Sequence, residues 1–227
     1  MSSVRVLSRA VLPAAIVFDC DGLLLDTEGC WSVGETALFA RHGLTFGDDH
    51  KQALIGVAMP DAGPILEELL ATPDRGTELT SELVELVVAE VMRVGCTPMP
   101  GALDLLAMLR GRVPLGVASN APRPVFHAAI AAAGVSEWFG AVVSADEVDR
   151  PKPAPDVYLE ACRRLGADPA DAIALEDTAT GLAAARAAGM RTIGVPSVST
   201  AALDADLVAG SLLDPAVLAF LGLTSDG

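Results

Sequence analysis

The sequence predicts an α/β protein built on a doubly wound parallel sheet, with an all-α insert after the first strand. Three observations lead there. Short apolar runs that stop on polar residues recur along the chain, helix-length patterns separate them, and one interval, 29–98, carries helical pattern alone.

The first run, Ala14-Ala15-Ile16-Val17-Phe18, stops at Asp19, and Leu115-Gly116-Val117-Ala118 stops at Ser119-Asn120. Ala141-Val142-Val143 stops at Ser144, Ala172-Ile173-Ala174-Leu175 at Glu176-Asp177, and Thr192-Ile193-Gly194-Val195 at Pro196. Each is too short for a helix and almost continuously apolar, as strands covered on both faces are. Helical stretches fall at about 101–110, 123–133, 154–165 and 178–188, with Gly134, Gly166 and Gly189 where their C-terminal caps belong. Strands alternating with helices of that length form βαβ units, hence a Rossmann-like sheet.

Between Asp26 and Pro100 there is no strand-like run. Leu83, Leu86, Val87 and Val91 have the spacing of an apolar helix face, with Glu82, Glu85 and Glu90 off it. Asp26-Thr27-Glu28-Gly29 and Cys96-Thr97-Pro98-Met99-Pro100-Gly101 read as hinges. The expected division is a core of residues 1–28 and 99–227 and a helical cap of 29–98.

Composition limits the function. A hydrophobic fraction of 52% against 20% charged residues is that of a packed globular chain, far from disorder. The net charge of −15 repels nucleic acid and anionic membrane surfaces, which excludes both as partners. It repels a phosphorylated substrate too, so an anion site needs a metal ion or a placed cation. Lys51 and Lys152 are the only lysines. Cys20, Cys30, Cys96 and Cys162 form no C-x-x-C pair, and His42, His50 and His127 do not bracket them at zinc spacing, so buried reduced thiols are expected. The N-terminal stretch has two arginines but no cleavage-site pattern, and no run of about 18 apolar residues occurs. A cytoplasmic monomer is the expectation.

Ligands of parallel α/β sheets bind beyond the carboxyl ends of the strands. Asp19, Asp21, Ser119, Asn120, Glu176 and Asp177 should therefore gather at one edge, joined by Lys152 from the proline-spaced loop Arg150-Pro151-Lys152-Pro153-Ala154-Pro155-Asp156. Singly, these are bland: Asp-x-Asp-Gly is a polar turn, Ser119-Asn120 and Glu176-Asp177-Thr178 are helix caps, and Lys152 is a surface lysine. Together they match what phosphoryl transfer requires. Carboxylates of Asp19, Asp21 and Asp177 suit magnesium. Ser119 and the Asn120 amide can donate to phosphate oxygens, and Lys152 supplies positive charge. Two carboxylates at i and i+2 can divide labour, one attacking and one moving protons.

Asp19-Cys20-Asp21-Gly22-Leu23-Leu24-Leu25-Asp26-Thr27-Glu28 resembles the first motif of the haloacid dehalogenase (HAD) superfamily. Val117-Ala118-Ser119-Asn120, Lys152-Pro153-Ala154-Pro155-Asp156 and Glu176-Asp177-Thr178-Ala179-Thr180-Gly181 follow in that superfamily's order. The helical insert after the first motif is similar to the β-phosphoglucomutase-like branch. The resemblance implies that Asp19 attacks phosphorus to form an aspartyl-phosphate, and that Asp21 protonates the leaving alcohol and then activates water. It also implies that Ser119 and Lys152 bind the phosphoryl group. Mg²⁺ would be held by Asp19, the Asp21 backbone carbonyl and Asp177, with Glu176 as a supporting ligand.

Departures from the family pattern narrow the activity. Dehalogenase and phosphonate-cleaving relatives lack the second carboxylate, which is present here as Asp21. Mutase relatives carry a histidine four positions after the first-motif threonine and an arginine in the cap loop. Here these positions are Trp31 and Met59. The expectation is a phosphatase acting on a small sugar or polyol phosphate, with a phosphomutase as the alternative. A phospho-aspartate receiver and an idle phosphate-binding module are the non-enzyme readings. Lys51, the segment Ile55–Met59 with Val57 within it, and Arg123 are the candidate substrate contacts.

Overall fold

The computed structural model describes residues 12–197 and 203–223. Arg5, Arg9 and the last four residues of the polar C-terminal tail lie outside the described residues. In chain order, β1 (Ala15–Phe18) leads to the two-residue β2 (Leu25–Asp26). Four helices follow: α1 (Glu28–Arg41), α2 (Asp48–Leu54), α3 (Met59–Leu70) and α4 (Gly76–Val94). Next come β3 (Thr97–Pro98), α5 (Ala102–Leu109), β4 (Leu115–Ser119), α6 (Arg123–Ala132), β5 (Ala141–Ser144) and α7 (Asp156–Leu165). The chain continues through β6 (Ala172–Glu176), α8 (Ala179–Ala187), β7 (Arg191–Gly194), β8 (Leu207–Val208) and α9 (Pro215–Phe220).

The main sheet has the order β5-β4-β1-β6-β7-β8, and every pairing in it is parallel. The predicted Rossmann-like sheet is therefore present. Its strand residues alternate between two packed faces, as the pleat requires. Ile16 and Phe18 join Val117 and Leu175 in one core, while Ala15 and Val17 join Tyr158, Ala161 and Ala185 under α7 and α8 in the other. The chain leaves β1 for β4 on one side and returns to β6 on the other. That crossover makes β1 the switch point, and Phe18 stands in register with both Val117 and Leu175. The residues just past those positions share one edge.

The interval after β2 is helical, as expected, and α4 buries Leu79, Leu83, Val87 and Val91 on one stripe. One expectation needs correction. The stretch Thr97–Pro98, read as a strandless hinge, pairs antiparallel with Leu25–Asp26. Two residues are too few to carry any hydrophobic period, so this ladder left no trace in the pattern. All four cysteines are free and buried. Among the described residues no helix is long and apolar enough to cross a membrane.

Candidate active site

β1 ends on Asp19, whose N–H still donates to Leu175 O and so continues the ladder. The chain then tightens: Leu24 and Leu25 donate to Cys20 O, and Gly22 donates to Leu25 O. Gly22 adopts φ +83°, and a Cβ there would lie 2.5 Å from Asp177 Oδ2, so only glycine fits both the turn and the neighbour. The turn aims Asp21 at two hydroxyls. Thr27 Oγ1 donates to Asp21 Oδ1 at 2.6 Å, and Ser119 Oγ donates to Oδ2 at 2.7 Å. Ser119 Oγ in turn accepts the Ala121 N–H. The Ser119 hydroxyl, expected to face phosphate, is thus donated to Asp21.

Lys152 arrives from the loop before α7, and Asn120 holds that loop by the backbone N–H and C=O of Lys152 itself. Lys152 N–H donates to Asn120 Oδ1 at 2.9 Å, and Asn120 Nδ2 donates to Lys152 O at 3.2 Å. The Asn120 side chain, expected at phosphate, positions the lysine backbone, its oxygen accepting from and its nitrogen donating to the same residue. Lys152 Nζ spends its three hydrogens on Asp19 Oδ1 (2.5 Å), Glu176 Oε1 (2.7 Å) and Ala118 O (2.8 Å).

Glu176 is fully buried, and donors surround both its oxygens. Tyr158 Oη donates to Oε1 at 2.6 Å, beside Lys152, and the Thr178 hydroxyl donates to Oε2 at 3.1 Å. Gly181, in the first turn of α8, leaves room for this carboxylate: a Cβ there would fall 1.8 Å from Oε1. Asp177 is different. Its Oδ2 accepts from Ser197 Oγ at 2.5 Å, while its Oδ1 is buried with no partner among the described residues.

Asp19, Glu176 and Asp177 each offer an oxygen, and these oxygens lie within 4.8 Å of one another. The all-oxygen donor set and the orphaned Asp177 Oδ1 fit a hard divalent cation. The electrostatics point the same way. Burial pushes the Asp19 carboxyl well above its usual range, although Lys152 pulls it down. Burial also raises Asp177, to about 7. Burial opposes the charge on Lys152, but Asp19 and Glu176 together hold its proton more firmly than usual. Three carboxylates crowd round one ammonium, a concentration of negative charge that a bound cation would offset.

Asp19, Asp21, Ser119, Lys152 and Asp177 form the floor of a cavity of about 600 Å³, with Glu176 buried behind them, and the opposite wall comes from α1 and the segment 51–59. Lys51, Ile55, Val57 and Met59 all line it, as does Trp31. Lys51 Nζ pairs with Glu28 and Glu35. Arg123 does not line the cavity; it is exposed on the first turn of α6, where its N–H donates to Asp146. The sequence reading missed Thr27, Tyr158 and Ser197, whose hydroxyls fix the acids of the floor. Tyr158, the sole tyrosine, lay in plain view six residues after Lys152.

The profile of the haloacid dehalogenase-like hydrolase family matches residues 13–189, and the chain belongs to that family. It is 31% identical over 182 residues to fructose-1-phosphate phosphatase of Escherichia coli K12, covering 80% of this chain and 96% of that one. It is 32% identical over 208 residues to the bifunctional riboflavin kinase/FMN phosphatase of Arabidopsis thaliana, covering 89% of this chain; that protein is longer, and the match spans 54% of it. Among solved structures, CbbY of Rhodobacter sphaeroides in complex with phosphate superposes with a TM-score of 0.82 at 28% identity, covering 93% of this chain and 99% of that one.

Proposed function

We propose that this hydrolase is a magnesium-dependent phosphomonoesterase acting on a small phosphorylated metabolite, a sugar or polyol phosphate. In this reading residues 29–98 are its cap domain, on a core of 1–28 and 99–227. One observation carries the proposal. Asp19, ion-paired to Lys152, and Asp21, gripped by two hydroxyls, share the floor of one cavity.

An oxygen of Asp19 attacks phosphorus, and the bond from phosphorus to the ester oxygen breaks. Asp21, in its acid form, gives its proton to the departing alkoxide. The Asp21 carboxylate then takes a proton from water. That oxygen attacks the aspartyl-phosphate, breaking its P–O bond to release inorganic phosphate and free Asp19. Thr27 and Ser119 keep Asp21 in reach of both the departing and the arriving oxygen. Lys152 orients Asp19 and meets the charge on the transferring group. Asp19 and Asp177, with Glu176 beside them, are the side chains that would hold Mg²⁺, which when bound neutralises phosphate charge.

Kinship supports the coarser part: E. coli hexitol phosphatase B is 30% identical over 193 residues. Mg²⁺ with a panel of phosphate monoesters should release inorganic phosphate, and Asp19→Asn should lower that rate on the order of 10³-fold or more. Isomerisation of a hexose 1-phosphate without phosphate release would mean a mutase. An undiminished Asp19→Asn variant would remove Asp19 from the mechanism.

A further inference from the structure

The wall facing the catalytic floor has a charge pattern the chemistry above does not use. Helix α1 places Glu28, Trp31 and Glu35 at i, i+3 and i+7, so one face of the helix sends all three to the cavity. Lys51, from α2, sits between the two carboxylates, 2.8 Å from Glu28 Oε1 and 2.8 Å from Glu35 Oε2. Glu35 is buried, while the Glu28 side chain is 40% exposed.

Among the described residues, six of the eight charged ones lining the cavity are acidic. The two basic ones are Lys51 and Lys152, and both are already paired. A lysine flanked by two carboxylates is a wall of net charge −1, not an anion site. A second phosphate or a carboxylate at the far end of a substrate would find no free cation there among the described residues. It would face Glu28 and Glu35 at short range, in a partly desolvated space where like charges repel strongly. A hydroxyl group suffers no such penalty. It can donate to Glu28 and accept from the Lys51 ammonium, while the Trp31 ring offers an apolar surface to the C–H faces of a sugar.

We propose that Glu28, Glu35 and Lys51 form a specificity wall: it selects phosphate monoesters whose far end is neutral and hydroxyl-bearing, and turns away those carrying a second phosphate or a carboxylate. This rests on the phosphatase reading above and deepens it. Glu35 acts by fixing and neutralising Lys51, and Glu28 by facing the substrate.

The test compares kcat/KM of the Mg²⁺-loaded protein for a hexitol 6-phosphate, the matching 1,6-bisphosphate and phosphoglycolate. The wild type should favour the hexitol monophosphate at least 100-fold over either. Glu28→Gln removes a charge at a half-exposed position and so should leave the fold intact. It should narrow the preference over the bisphosphate at least tenfold, mainly through a lower KM for the bisphosphate. Glu35→Gln, checked for an unchanged melting temperature, should narrow it as well. Lys51→Met should raise KM for the hexitol phosphate with little change in kcat. Comparable wild-type rates on all three esters, or a Glu28→Gln ratio equal to that of the wild type, would overturn the specificity wall and leave the phosphatase reading standing. No phosphate from any ester would overturn that reading itself, and the wall with it.

Discussion

In the metal-free protein Asp177 makes stability depend on pH in a direction opposite to ordinary acid denaturation. Burial raises its carboxyl from the usual 3.8 to about 7; Ser197 and Lys152 pull against that, and Glu176 adds to it. A group whose folded value lies above its unfolded one contributes most at low pH, and that contribution is lost as pH rises through the folded value. The full span is worth about 4 kcal/mol, of which about 3 falls between pH 5 and 8. Asp19, also raised by burial, acts with the same sign. Glu160, held at about 2 by Arg163 and Arg164, carries the opposite sign but titrates below this window. In chelator, the melting temperature should fall by roughly 5–10 °C from pH 5 to pH 8 for a chain of this size. Saturating Mg²⁺ should reverse the fall, because a cation binds the ionised carboxylates and displaces the proton. Asp177→Asn should flatten the pH dependence in chelator and abolish most of the response to Mg²⁺. A melting temperature that is level or rises from pH 5 to 7 in chelator would refute the reasoning. So would an Asp177→Asn protein with the full metal response.

Two further expectations concern the groups that hold the floor in place. Tyr158→Phe removes the hydroxyl donated to Glu176 and should cost about 1 kcal/mol of stability. It should lower kcat several-fold at unchanged KM, because it loosens Glu176 and, through it, Lys152; steady-state kinetics beside a melting curve separates the two effects. Gly181→Ala puts a methyl where Glu176 lies. That carboxylate is pinned by Lys152, Tyr158 and Thr178, so making room means breaking those bonds, at a cost of about 1–3 kcal/mol. Phosphate release should fall at least tenfold, and a normal rate would mean that Glu176 can move freely.

The strand ends of the core were legible because parallel strands buried on both faces read as unbroken apolar runs, and the polar residues stopping them mark the edge that holds the candidate site. Asp19, Ser119 and Asp177 could be named from that alone, whereas Lys152 was drawn from the proline-spaced loop before α7. What escaped depends on contacts between elements. Asn120 was assigned to phosphate as a donor ending an apolar run, and its engagement with the Lys152 backbone exists only once the end of β4 meets the loop before α7. Tyr158 reads as an apolar helix position, and its hydroxyl has a purpose only beside Glu176. Ser197 follows the last run by two residues, beyond Pro196 where that run was expected to stop. On the insert, Lys51 was singled out for rarity alone, and its two carboxylate partners sit on a different helix.

The ladder between Leu25–Asp26 and Thr97–Pro98 bears on how the chain folds. β1 must pair with β4, but the four helices of the insert and α5 separate them in sequence, and a long open loop is entropically costly to close. Once Asp26 meets Thr97, the route from Phe18 to Leu115 bypasses the whole insert and shrinks to about a quarter of its length. By the logarithmic dependence on loop length, closure then costs roughly 1 kcal/mol less. An insert that has already folded on α1 and α4 thus acts as a clip for the sheet. Damage to its helix packing should therefore slow assembly of the sheet even where no residue of β1 or β4 has changed.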